Sequence, residues 1–299
     1  MKRYQSYQYG SGKELTMKKV LHLSTSRPGL WQDTNVTYAQ VPGWLGHTTM
    51  DLQLTVLRQF EGQPHALPAI FWFGGGGWMA VDHNVHLPNL VDFVRAGFVV
   101  VSVQYRNSNQ AVWPAQLTDA KAAIRYMKAH ADKYQIDPER LAVMGESAGG
   151  HLASMVAVTN GQKQFDVGDY LDQSSTVQAA IPWYGVVNPL SAKQNSASSD
   201  FDFVYRNLLG GQPEDNPELV SQADPHTFVS DSTVPFLLLH GTEDEVVPID
   251  DSRGLYDDLI SHGVDADLYE LQGAQHMDEL FMQPEIAKII IDFLNTHLK

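Results

Sequence analysis

The sequence predicts an α/β fold in which a mostly parallel β-sheet carries helices on both faces. Two observations support this prediction: short apolar runs recur along the chain, and amphipathic segments separate them. Continuous apolar runs are typical of strands buried on both faces, and strands that alternate with helices are typical of βαβ units. With 299 residues, of which 43% are hydrophobic, the chain is long enough to enclose one large core.

Five apolar runs are predicted as buried strands because they are short and rich in β-branched or aromatic residues. These runs are residues 70–73, 98–103, 141–144, 177–183 and 236–239. An earlier stretch, residues 35–58, alternates more between polar and apolar side chains. It is therefore predicted to supply antiparallel strands at the edge of the sheet.

The segments between the runs show helical spacing. In residues 114–134 the apolar positions recur at intervals of three or four, which predicts a helix with Pro114 near its start. These positions are Leu117, Ala120, Ile124 and Met127. The tail that begins at Pro284 repeats the pattern and is predicted to form the last helix.

One segment fits the alternation poorly. Residues 186–233 separate two predicted strands, and a structureless loop of about fifty residues would be unusual in a compact domain. We therefore predict a small, partly helical cap, inserted in a domain of residues 35–299 that follows an N-terminal extension of residues 1–34. The cap aromatics face substrate in one interpretation and anchor the cap to the core in the other. They are Phe201, Phe203 and Tyr205.

Charge and composition exclude several classes of function. The formal charge is -15 and no lysine/arginine cluster is present, so we expect no nucleic-acid partner. The absence of cysteine excludes disulfides, thiolate metal sites and cysteine nucleophiles. We expect no metal, since His83, His86 and His151 form no recognisable ligand pattern. The chain has neither an apolar run of the ~18 residues that span a membrane nor a signal-peptide core, so a cytoplasmic location is expected.

Residues 145–149 match the pattern G-x-S-x-G, with Ser147 at its centre. The motif follows a predicted strand and precedes a helix-compatible stretch, residues 151–158, which is the context that a nucleophilic serine requires. Small neighbours are needed because the turn strains the backbone, and the helix N-terminus places amides near developing negative charge. The alternative is an ordinary glycine-rich turn between a strand and a helix.

A nucleophilic serine needs a base, and the base needs a carboxylate that orients it. In sheets of this type the carboxylate follows the serine in the chain and precedes the histidine. Asp244 lies just beyond the strand predicted at residues 236–239, where active-site groups gather, and is the best candidate. Glu243 and Glu245 are weaker candidates, and a solvated acidic turn is the alternative.

The base is predicted to be His276, which follows an alternating run at residues 265–271 and precedes the final helix. A loop at this place can return a histidine to the nucleophile. His240 and His262 are the rivals, but His240 directly ends a strand and His262 lies in the last turn of a predicted helix.

Four successive glycines, residues 74–77, follow the first predicted buried strand. Without side chains, their N–H groups can converge on a substrate oxygen. The expected oxyanion donors are the amides of Gly76, Gly77 and Ala148, with Gly75 as a further candidate. A phosphate-binding loop is less compatible, because no lysine follows the glycines.

Together these motifs resemble the esterase/lipase group of the α/β-hydrolase superfamily, which includes hormone-sensitive-lipase-like carboxylesterases and bacterial feruloyl- and acetyl-esterase-like enzymes. The resemblance covers residues 35–298 and implies an α/β-hydrolase fold with a triad of Ser147, Asp244 and His276. One departure concerns Gly74, since the family usually has a histidine there that braces the glycine loop. The matching segments are residues 74–78, 101–106, 113–119, 136–138, 145–151 and 240–244, with His276.

The resemblance and the residues together predict a serine carboxylesterase that acts through an acyl-enzyme without a cofactor. The expected substrates are small-molecule esters with short acyl or aromatic groups, carbohydrate-linked esters included. Trp78, Trp183 and the cap aromatics are expected to line an apolar pocket. An amide hydrolase, either a peptidase or an arylformamidase, is the alternative, and a non-catalytic binding module is the third reading. A homo-oligomer is compatible with the sequence.

Overall fold

The structure, a computed structural model, describes residues 20–22, 28–43, 46–60, 65–79, 82–197 and 199–298. In these ranges the strands are β1 (Leu30–Pro42), β2 (Thr49–Gln59), β3 (Leu67–Phe73), β4 (Val99–Val103), β5 (Ile136–Glu146), β6 (Ala179–Trp183), β7 (Phe236–Gly241) and β8 (Ala266–Leu271). They form one sheet in the order β1-β2-β4-β3-β5-β6-β7-β8. β1, β2 and β4 pair antiparallel, and the pairings from β4 to β8 are parallel. Both the parallel centre and the antiparallel edge are as predicted.

Helices cover both faces of this sheet. In the same described ranges they are α1 (Leu87–Arg95), α2 (Ala115–Ala129), α3 (Ala131–Tyr134), α4 (Ala148–Val158), α5 (Pro189–Asn195), α6 (Asp202–Leu209), α7 (Pro217–Gln222), α8 (Ile249–Ser261) and α9 (Pro284–His297). Among the described residues, two separate apolar clusters form the core, one on each face. In β3, Phe71 lies in one cluster and Trp72 in the other, which explains why that strand is apolar at every position.

Two predicted boundaries differ from the structure. The single helix predicted over residues 114–134 is interrupted at His130, which ends α2 and precedes α3. His130 leaves helical geometry with φ -116° and ψ 25°, and its Nδ1 lies 2.8 Å from the carbonyl oxygen of Tyr126. The predicted start of the domain at residue 35 falls inside β1, and residues 1–19 and 23–27 of the predicted extension lie outside the described residues.

Residues 186–233, which we call the cap segment, contain α5, α6 and α7 joined by short 3-10 turns. Helix α6 is amphipathic and buries Val204, Tyr205, Leu208 and Leu209 in the larger core cluster. Gly210 ends α6 in the left-handed conformation, with φ +69°. On this buried face Val204 lies against Gly77, in the glycine loop that follows β3, so α6 packs close to the carboxyl end of that strand.

Beneath the cap segment, Asp251 in the first turn of α8 is 8% exposed and accepts a hydrogen bond from the Val187 N–H at 3.2 Å. Burial, with a smaller effect from Asp224, raises the pKa of Asp251 to about 6. The folded chain therefore binds this proton more tightly than the unfolded chain. The stability contributed by the group is present below pH ~4 and is lost as the pH rises through about 6.

We predict that Asp251→Asn raises the unfolding free energy at pH 8 by on the order of 2 kcal/mol. The amide keeps an oxygen for the Val187 N–H but carries no charge to bury. Thermal unfolding at pH 5 and pH 8 measures this effect, and the gain should be larger at pH 8. Asp250→Asn is the matched control, because its side chain is 84% exposed in the same helical turn. An equal gain in both variants, or at both pH values, would contradict the prediction.

Candidate active site

The serine of the G-x-S-x-G motif lies in a sharp turn between β5 and α4. Ser147 has φ 51° and ψ -119°, a conformation that costs a non-glycine residue free energy. The flanking positions must be glycines because other backbone atoms lie too close for a Cβ atom. A Cβ on Gly149 would lie 1.9 Å from the carbonyl oxygen of Phe73, and a Cβ on Gly145 would lie 2.4 Å from the carbonyl oxygen of Gly149. The turn therefore presents Ser147 at the carboxyl ends of the parallel strands.

Ser147, His276 and Asp244 lie in a continuous line of contacts. Nε2 of His276 is 2.9 Å from Oγ of Ser147, and Nδ1 of His276 is 2.7 Å from Oδ2 of Asp244. Because an ionised carboxylate only accepts hydrogen bonds, Nδ1 carries the proton and Nε2 is left to accept from the Ser147 hydroxyl. Asp244 follows β7 and His276 follows β8, so neighbouring parallel strands deliver both side chains to the same edge.

The carboxylate of Asp244 is fully enclosed, with 0% of its side chain exposed. Its Oδ1 accepts hydrogen bonds from the N–H groups of Val246 and Val247, each at 2.9 Å. Burial alone would raise the pKa of Asp244, but hydrogen bonds from His240 and His276 hold that pKa well below its ordinary value. Asp244 is therefore an anion wherever the protein is folded near neutral pH.

The other candidates for the base and for the orienting carboxylate do not reach the nucleophile. His240 is buried, with Nδ1 2.7 Å from Oγ of Ser252 and Nε2 3.0 Å from the Val247 carbonyl oxygen. His262 lies at the exposed end of α8, where its Nδ1 is 2.9 Å from the Asp258 carbonyl oxygen. Glu243 and Glu245 are exposed. Across the described residues, none of these side chains forms a hydrogen bond with Ser147, which bonds to His276. No group of metal-ligating side chains is found in the same residues.

The glycine loop, residues 74–77, passes directly beside the nucleophile. The Gly75 N–H donates to Oε1 of Glu146 at 3.3 Å, so this amide is already bonded and is the weakest of the candidate oxyanion donors. Within the part of the chain that the structure describes, the amides of Gly76 and Gly77 have no acceptor. Ala148 supplies a third amide from the first position of α4. These three amides remain the candidate donors.

A largely apolar pocket of about 460 Å³ opens beside Ser147 and His276. Four of the five residues predicted to contact substrate line this pocket; Trp78 and Tyr205 are buried, and Phe201 and Phe203 are 44% and 43% exposed. Sequence reasoning missed several further apolar lining residues, because apolar residues beside a motif look the same as core residues. These are Met79, Val186, Val204, Val246, Val247 and Met277.

The prediction that Trp183 lines the pocket is not supported by its position. Its ring packs against Trp72 at 5.3 Å and Phe281 at 6.1 Å between centroids, in the core cluster on the opposite face of the sheet. Side chains alternate along β6, which places Trp183 on the same face as Ile181.

A family model described as BD-FAE matches residues 56–259. The chain belongs to the BD-FAE family. Its fold is the α/β-hydrolase fold, and the resemblance to the esterase/lipase group is confirmed.

This BD-FAE protein is similar to curated and structurally solved esterases. It is 31% identical over 226 residues to the probable carboxylic ester hydrolase LipM of Mycobacterium tuberculosis, covering 75% of this chain and 52% of LipM. The chain spans about half the length of the curated relatives it matches.

Among solved structures, a truncated carbohydrate esterase from gut microbiota is 29% identical, with a TM-score of 0.78 over 92% of this BD-FAE chain and 98% of that one. The esterase Est2 of Thermogutta terrifontis shares the fold, with 23% identity and a TM-score of 0.71 over 88% of this chain and 93% of that one. In the described ranges, none of the helices combines the length and the apolarity that crossing a bilayer requires.

Proposed function

We propose that this BD-FAE protein is a serine carboxylesterase in which Ser147 is the nucleophile, His276 the general base and Asp244 the group that orients it. The observation that carries the proposal is the line of contacts from Ser147 through His276 to the buried Asp244, beside an apolar pocket. Each neighbouring contact is within hydrogen-bond distance, which the transfer of the serine proton requires.

In the proposed reaction, Oγ of Ser147 forms a bond to the ester carbonyl carbon while Nε2 of His276 takes the hydroxyl proton. The carbonyl electrons move to the oxygen, which the amides of Gly76, Gly77 and Ala148 stabilise. As the bond to the alcohol breaks, His276 returns the proton to the leaving oxygen. Water then attacks the acyl-enzyme, with His276 again as the base, and releases the acid and the free serine.

Because the pocket beside Ser147 is largely apolar, we propose that it binds an apolar acyl or aromatic group attached to the ester carbonyl carbon. Its volume of about 460 Å³ is large enough for a short acyl chain or a single aromatic ring. The net charge of -15 disfavours anionic esters. Similarity to a carbohydrate esterase at 29% identity supports a carbohydrate-linked alcohol part. The proposed substrate is thus a small-molecule ester, and residues 186–233 are proposed to form a cap over the pocket. The cytoplasmic location and the homo-oligomer stay predictions.

The test combines turnover with covalent labelling. We expect hydrolysis of p-nitrophenyl esters in a series from acetate to decanoate, with the highest kcat/KM at the short end, and hydrolysis of methyl ferulate. We expect a fluorophosphonate probe to label the peptide that contains Ser147, as located by mass spectrometry. Labelling at another residue, or an intact folded protein without labelling and turnover, would refute the proposal. Faster cleavage of an aminoacyl anilide than of all esters would favour the amide-hydrolase alternative.

A further inference from the structure

The residue before the nucleophile, Glu146, has a buried carboxylate that the proposed reaction does not use. Its side chain is 4% exposed, and both of its oxygens are hydrogen-bonded. Oε1 accepts from the Gly75 N–H at 3.3 Å and lies 2.8 Å from Nε2 of His86. Oε2 accepts from the Tyr184 hydroxyl at 2.7 Å. Burying a carboxylate without hydrogen-bond partners costs free energy, so these three contacts are what allow Glu146 to be buried beside the nucleophile.

His86 comes from the loop that enters α1, where it precedes the helix and is 24% exposed at its side chain. The hydrogen bond to Glu146 raises the pKa of His86 above its ordinary value. Burial alone would raise the pKa of Glu146, but hydrogen bonds from His86 and Tyr184 lower it instead. Among the described residues, Glu146 is the charged group that His86 faces, so the two stabilise each other as an ion pair when His86 is protonated.

Glu146 also contacts the loop that carries the candidate oxyanion donors. A Cβ on Gly75 would lie 3.2 Å from Cγ of Glu146 and 3.3 Å from Cβ of Ser147, so the loop packs directly against the nucleophile turn. The hydrogen bond from the Gly75 N–H holds one edge of the peptide between Gly74 and Gly75, the peptide next to the one that carries the Gly76 N–H. The other edge of this peptide is the Gly74 carbonyl oxygen, which accepts a hydrogen bond from the Tyr105 hydroxyl at 2.7 Å. In the described hydrogen bonds, Gly74 has no further partner.

We propose that His86 is a positioning residue: by holding the Glu146 carboxylate, it fixes the Gly75 amide and thereby the direction of the Gly76 and Gly77 amides. A brace from His86 supplies the support that a glycine at position 74 does not provide. The inference rests on the proposed function, because it concerns the same oxyanion site. This positioning role differs from a role in folding alone. It affects the step in which negative charge develops on the carbonyl oxygen, and it leaves the binding of the uncharged ester largely unchanged.

The test compares His86→Ala with His86→Gln, whose side-chain amide replaces the Nε2–H donor. We expect His86→Ala to lower kcat for p-nitrophenyl acetate about tenfold with KM within about twofold, since small misplacements of catalytic groups are costly. Affinity for a trifluoromethyl ketone, whose serine adduct carries the oxyanion, should fall by the same factor. His86→Gln should recover most of both losses. His226→Ala is the control, because it removes a similar histidine–carboxylate contact, 2.8 Å to Asp258, in the cap segment.

A double-mutant cycle with Glu146→Ala tests whether His86 acts through Glu146. The Glu146→Ala variant removes Oε1, the oxygen that both the Gly75 N–H and Nε2 of His86 contact. We expect His86→Ala to cost less than about twofold in that background. An unchanged ketone affinity in folded His86→Ala, or additive losses in the cycle, would overturn the positioning role alone. A wild-type protein that neither hydrolyses esters nor binds the ketone would overturn the proposed function, and this inference with it.

Discussion

Ser147→Ala is expected to lower kcat for a short p-nitrophenyl ester by on the order of 10⁵–10⁶-fold and to abolish fluorophosphonate labelling. The hydroxyl is the atom that contacts Nε2 of His276, at 2.9 Å, and alanine offers no atom that can bond to the carbonyl carbon. The substitution should leave the fold intact, because the Ser147 side chain makes no capping hydrogen bond to α4. The measurements are steady-state kinetics, labelling followed by mass spectrometry, and thermal unfolding.

Ser154→Ala is the matched control for this variant. Ser154 lies in α4, the helix that Ser147 directly precedes, and is 2% exposed, but it does not line the pocket. It should keep wild-type turnover and labelling. Activity of Ser147→Ala above about 1% of wild type, or persistent labelling in that variant, would assign the nucleophile to another residue.

The fold and the three contacting side chains were accessible from the sequence because each signal is local. Ser147 lies in a glycine motif that only one kind of turn accommodates, and Asp244 and His276 each follow a strand pattern at its carboxyl end. Once the strands are parallel and neighbouring, their carboxyl ends lie at one edge of the sheet, so their proximity follows from topology.

The rest of the site depends on contacts that no local pattern encodes. His86 lies just before a helix and Glu146 lies at the end of a strand, so no single sequence pattern includes both residues. Their contact depends on where the fold places the start of α1 relative to β5. The sequence also does not show on which face of the sheet Trp183 lies. Every residue of β6 is buried, so the strand has no alternation of polar and apolar side chains that would assign its faces. The interruption at His130 is a property of one residue's backbone, which helical spacing on either side does not reveal.

Asp244→Asn is expected to lower kcat by about 10⁴-fold while KM changes little. The amide oxygen would accept from the N–H groups of Val246 and Val247, as Oδ1 of Asp244 does at 2.9 Å, which turns the amide NH₂ toward His276. Nδ1 of His276 would then accept a hydrogen bond instead of donating one. The ring proton moves to Nε2, the atom that faces the Ser147 hydroxyl, and the imidazole loses its ability to take the serine proton.

The neighbouring carboxylates separate this tautomer effect from a general loss of negative charge. Glu243→Gln and Glu245→Gln each remove one charge from the same turn, but both side chains are exposed and should leave kcat within about twofold. The Asp244→Asn variant should still unfold cooperatively, because the amide keeps the two backbone hydrogen bonds of the turn. If its kcat fell no further than that of the Glu243→Gln variant, His276 would be oriented by something other than Asp244.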